Sequence, residues 1–136
     1  MAGVVQLAAE IEELGYEVAV SGSYVVFDYT VDIGPLDGME IRIGLDGSGH
    51  PHSPPTGPFV SPPLLPLRPD ASPAPRGGVH DGRGRGFPLA DQGDWQYWSR
   101  PFNEWAQHGR TAKAYLEVHL RRLFAQLPRE DLLCAA

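Results

Sequence analysis

The stretch YVVFDYTVDIGPLDGMEIRIGL, Tyr24 to Leu45, decides the fold class. Apart from Asp28, residues 24–31 are all aromatic or β-branched, the types that suit a pleated, half-buried surface. The cluster Gly34-Pro35-Leu36-Asp37-Gly38 then reads as a turn. In Met39 to Leu45, Met39, Ile41, Ile43 and Leu45 alternate with polar or small residues, the period of a strand with one buried face. Upstream, Glu17 to Val20 is joined to this stretch by Ser21-Gly22-Ser23, which predicts an antiparallel hairpin. Further upstream, Leu7, Ile11 and Leu14 fall at i, i+4 and i+7 while Glu10, Glu12 and Glu13 take other faces. With Gly15 at the stop, this spacing predicts an amphipathic helix over 4–14. A helix followed by a strand meander makes the chain α+β.

Downstream the character changes. Ten of the 14 prolines fall between Pro51 and Pro75, a density that removes amide donors and argues against both a helix and a central strand. Phe59, Val60, Leu64, Leu65 and Leu67 are nevertheless more large apolar residues than a linker carries, so the segment is expected to be ordered, irregular and wrapped on the sheet. Residues 77–86, GGVHDGRGRG, hold five glycines and predict a loop. An aromatic cluster follows: Trp95, Tyr97, Trp98, Phe102 and Trp105. Thr111 is placed to cap a long helix whose stripe Tyr115, Leu116, Leu120, Leu123, Phe124 and Leu127 runs until Pro128 ends it.

At 136 residues and 42% hydrophobic, the chain can bury one core, which predicts a single domain over 1–136. Within it, 51–94 is the irregular Pro/Gly-rich region and 128–136 a C-terminal tail. The net charge of −6, with basic residues scattered among acidic ones, lacks the footprint of a nucleic-acid binder. Acidic residues interrupt the first twenty positions and no stretch approaches the about 18 apolar residues of a membrane span. A cytoplasmic protein without membrane or nucleic-acid partners is therefore expected. The one cysteine, Cys134, excludes an intrachain disulfide and a Cys-rich zinc site, and Cys134-Ala135-Ala136 falls one residue short of a prenylation box.

Helix, meander, proline-rich stretch, histidine-bearing loop, Trp-Ser-Pro-like cluster and long helix together resemble the ubiquitin-conjugating (UBC) family over roughly residues 4–127. Pro54 to Leu67, PPTGPFVSPPLLPL, resembles its proline-rich segment and following strand. His80 stands where the family has the histidine of a His-Pro-Asn motif, with Asp81 and Gly82 in place of proline and asparagine. Trp98-Ser99-Arg100-Pro101 resembles its Trp-Ser-Pro with one residue inserted. In this resemblance the nucleophilic cysteine lies ten residues after the histidine and eight before the tryptophan, and both offsets land on Ala90. A methyl group can neither attack a thioester nor leave from one. Three explanations fit an alanine there: a naturally cysteine-less, noncatalytic variant; a conjugating enzyme whose cysteine was replaced; or a resemblance misplaced on a stand-alone interaction domain.

The resemblance implies a ubiquitin-like protein and a ubiquitin-activating-type enzyme as partners, with no cofactor and no metal. Residues 95–102 are most similar to bacterial UBC-like proteins of ubiquitin-like modification operons, which have been linked to phage defence. The active-site-like positions are His80, Asp81 and Ala90; the implied partner contacts are Arg83, Arg85, Trp98 and Arg100. The acidic outer face of the first helix would meet the activating enzyme. A metal held by His50, His52, His80 and Asp81 is disfavoured because Pro51 prevents a helical histidine pair, leaving solvent-exposed loop histidines as the expectation. Ser99 and His80 lack the nucleophile turn and orienting acid of a hydrolase.

Overall fold

The computed structural model describes residues 2–65, 79–82, 87–89 and 94–127. Its architecture is α+β: an N-terminal helix, a six-stranded antiparallel sheet in the order β1-β2-β3-β4-β6-β5, and a C-terminal helix. Helix α1 spans Ala2–Glu13 and buries Val4, Leu7, Ala8 and Ile11 against the sheet. Strands β1 (Val18–Ser21) and β2 (Tyr24–Thr30) form the expected hairpin around Gly22-Ser23. Strand β3 (Glu40–Asp46) turns Ile41, Ile43 and Leu45 into the core. The turn between β2 and β3 drops Leu36 into the same core. Gly34, at φ +81°, passes so close to the C-terminal helix that a Cβ would collide with the carbonyl oxygen of Phe124.

The proline-rich region departs from expectation, because Thr56–Ser61 forms β4, an interior strand paired with β3 on one side and β6 on the other. The reason is local. The register slips between Gly44 and Asp46, so Pro58 falls within the irregularity rather than on a ladder bond, the position where a strand accepts a residue without an amide hydrogen. Phe59, Val60 and Ser61 then pair regularly, and Val60 enters the core. The sheet is likewise larger than the 17–45 meander. Within the segment expected to be loop, Val79–Asp81 forms edge strand β5 against β6 (Gln96–Trp98). Val79 is β-branched and buried, and it pairs with Trp98 despite the glycine-rich composition of the stretch.

Thr111 caps the C-terminal helix as expected, its hydroxyl accepting from the Ala114 amide at 3.1 Å. The helix is α-helical over Ala112–Ala114, π-helical over Tyr115–Leu120 and α-helical again over Arg121–Ala125. Tyr115, Leu116, Leu120 and Phe124 face the sheet. Among the described residues no helix is long and apolar enough to cross a membrane.

Candidate functional site

Strand alternation sorts the predicted site residues. His80 pairs with Tyr97 and Phe59 pairs with Tyr97 from the other side, so these three share the sheet face turned away from the helices. Asp81 pairs with Gln96 and Val79 with Trp98, which puts them on the helix-facing side. His80 and Asp81 therefore point to opposite faces and do not form one constellation. The imidazole of His80 lies against Tyr97, with ring centroids 6.1 Å apart.

Pairing of β5 with β6 brings His80 beside the Trp98 strand, and Gly82 donates its amide to the Trp95 carbonyl at 2.9 Å. Gly82 and Trp95 thus lie side by side at the end of β5 and the start of β6. Arg83, Arg85 and Ala90 fall between these points and lie outside the described residues, as does Cys134. Phe87, from the same stretch, covers the outer face: it stacks on Phe59 at 4.4 Å and meets Trp95 at 4.7 Å. It sits over Gly44, where a Cβ would approach its ring to 2.7 Å.

Trp98 is corrected from partner contact to core residue. It is 2% exposed, packs against Phe124, and donates its indole N–H to Gln96 Oε1 at 3.2 Å. Trp95 and Trp105 are buried as well, Trp105 donating to the Pro51 carbonyl at 2.9 Å. Arg100 is half-buried and is held through its backbone, which donates to the carbonyls of Trp98 and Gly57.

Gln96, which the sequence did not single out, is the hub beneath β6. Its Oε1 accepts from the amides of Leu64 (3.0 Å) and Leu65 (3.2 Å) as well as from Trp98, and its Nε2 donates to the Leu65 carbonyl. One buried amide thereby ties the exit of β4 to β6.

Two histidines are also internal. His50, expected in a solvent-exposed loop, is 4% exposed and pairs through Nε2 with Glu10 Oε2 at 2.9 Å. Glu10 accordingly leaves the acidic outer face of α1, where Glu12 and Glu13 remain exposed. Burial alone would raise the Glu10 carboxyl, but bonds from the Ala112 amide at 2.7 Å, from His50 and from Gln6 outweigh it and hold the group below its ordinary value. His119 stacks on Phe102 at 4.9 Å and donates Nε2–H to the Arg100 carbonyl at 2.6 Å. Burial depresses its pKa, only partly opposed by that bond, so the ring is neutral at pH 7, and its buried Nδ1 has no partner among the described residues. His52 is exposed, and no group of three potential metal ligands occurs among the described residues.

On the outer face, Tyr24, Thr56, Phe59 and Tyr97 line an open hollow of about 200 Å³. The Tyr24 phenol is raised above its ordinary pKa by burial first, then by Asp46 and Tyr97. Comparison with protein-family models, with curated proteins and with solved structures gives no match for this chain.

Proposed function

We propose that this chain is a noncatalytic UBC-like module that works in the cytoplasm of a bacterium, holding a ubiquitin-like protein or bridging it to its activating enzyme without forming a thioester, in a conjugation pathway of the kind linked to phage defence. One observation carries the reading. The histidine and tryptophan from which two spacings converge on Ala90 lie on adjacent paired strands, which supports the expectation that His80 stands close to Trp98. The helix–meander–helix order lends further support. With alanine at position 90, the covalent step has no nucleophile there, leaving recognition as the role.

The test pairs binding with chemistry. The wild-type chain is expected to retain a ubiquitin-like protein and its activating enzyme in a pull-down with purified components. Ala90→Cys, assayed with the same enzyme and ATP, is expected to give no reductant-sensitive adduct that turns over onto an acceptor. Efficient transfer by Ala90→Cys would instead identify a conjugating enzyme whose cysteine had been replaced. Failure to bind any ubiquitin-like protein or activating enzyme would identify a stand-alone interaction domain.

A further inference from the structure

Strand β1 borders the sheet, and its outer edge has no paired strand among the described residues. Which of its backbone groups face that edge follows from the ladder. Val31 donates to the Met39 carbonyl at 2.9 Å, so by alternation the odd-numbered residues of β2 bond to β3, while Tyr24 and Val26 bond to Ser21 and Ala19. The amides and carbonyls of Val18 and Val20 therefore point away from the sheet. Neither residue makes a backbone hydrogen bond to a loop or helix among the described residues. The edge also lacks the usual guards: Val18-Ala19-Val20-Ser21 holds no lysine and no proline, and its register with β2 runs without a bulge. Val20 is 50% exposed, one of two large apolar side chains left so among the described residues.

We propose that this edge takes up an extended, basic segment of a partner protein as an added strand beside β1. The outward amides and carbonyls carry the inference, because they are the groups that strand addition uses. Side-chain alternation and charge then select the occupant. Val18 and Val20 pair with the core residues Phe27 and Val25, so they stand on the helix-facing side, where an added strand sets its apolar residues. The surroundings are acidic. Asp28 is exposed on the outer face of β2, Glu17 is exposed at the entry to β1, and Glu12 and Glu13 are exposed at the end of α1. Residues 1–41 hold eight of the chain's 17 carboxylates and no Lys, Arg or His. Arg42, the first basic residue, lies 3.8 Å from Asp28 with its guanidinium 5.4 Å from the Trp95 ring. Such an edge attracts lysine and arginine side chains. A second copy of the chain would bring two acidic edges together, which like-charge repulsion disfavours. The fitting segment therefore alternates apolar with basic residues. This inference stands on the edge strand and does not depend on the reading of position 90.

The experiment is an NMR titration of the full chain with three capped peptides: Lys-Val-Lys-Val-Lys-Val-Lys, its counterpart with Glu for Lys, and its counterpart with Pro for Val. The Pro peptide keeps the charge and loses the main-chain donors of every second residue. The Lys-Val peptide is expected to bind at least about tenfold more tightly than either control and to slow hydrogen exchange of the Val18 and Val20 amides at least about tenfold. Val20→Pro removes one outward amide without touching the bonds to β2, a substitution that edge strands accept, and is expected to weaken the Lys-Val peptide at least about threefold. Should that variant fold poorly, Val20→Lys sets a cation on the edge and is expected to weaken the same peptide. Tight binding of the Pro peptide would show attraction by charge alone and overturn the proposal. So would equal binding of the Glu peptide, shifts confined to another surface, no localised shifts, or protection of Val18 and Val20 that grows with protein concentration in the absence of peptide.

Discussion

Gln96→Leu removes one side chain and leaves four buried polar groups without their partner. The amides of Leu64 and Leu65 and the indole N–H of Trp98 all donate to Gln96 Oε1, and the Leu65 carbonyl accepts from its Nε2. Leucine has similar bulk, so little cavity forms and the effect isolates the lost hydrogen bonds. Each buried group left unsatisfied costs about 1–3 kcal/mol. The costs are not additive here, because three donors share one oxygen and relaxation of the 64–65 backbone relieves more than one at once. We expect a loss of about 3–5 kcal/mol, a large part of the roughly 5–15 kcal/mol that holds a domain together. Urea unfolding followed by circular dichroism measures it, with Gln126→Leu as the same chemical change at an exposed position. The surface variant is expected to stay within about 0.5 kcal/mol of wild type. If Gln96→Leu costs less than about 1 kcal/mol, or no more than Gln126→Leu, the hub does not join β4 to β6 as argued.

Gly34→Ala should destabilise by more than about 2 kcal/mol, because its Cβ meets backbone at Phe124; Gly38→Ala, also at positive φ but facing open space, should cost only about 1 kcal/mol by thermal unfolding. Thr111→Ala removes the cap on the C-terminal helix and should cost about 1 kcal/mol in the same measurement. Since the folded-state pKa of His119 is depressed by burial, the unfolded chain binds more protons below 6.5; the stability this residue contributes is present above that pH and is lost as pH falls through the window beneath it. His119→Gln, which can still donate to the Arg100 carbonyl, should flatten that part of a stability–pH profile, and an unchanged slope would refute the assignment. Glu10 has the same sign at lower pH, its contribution being present above 4.5 and lost as acid protonates the folded carboxylate, so Glu10→Gln should flatten the profile below 4.5.

Local chemistry was enough to place α1, β1 to β3 and the capped C-terminal helix. Alternation at Ile41, Ile43 and Leu45, a turn cluster at Ser21-Gly22-Ser23 and a hydroxyl three residues before the amide it caps are short-range patterns, and the backbone follows them, with Ser21 drawn into β1. What the tertiary structure decided lies wherever a residue's partner is distant in the chain. Pro58 forbids a regular ladder, yet β4 is interior because β3 slips its register opposite it. Glu10 and His50, forty residues apart, leave the solvent they were expected to face because each satisfies the other. Gln96 gains its role from Leu64 and Leu65, more than thirty residues upstream. Position 90 was marked only by the spacing that the resemblance implies, and it lies outside the described residues. Only the folded sheet could set Tyr24, Thr56, Phe59 and Tyr97 around one hollow, because their proximity is a matter of strand order and register, which the pleat converts into a shared face.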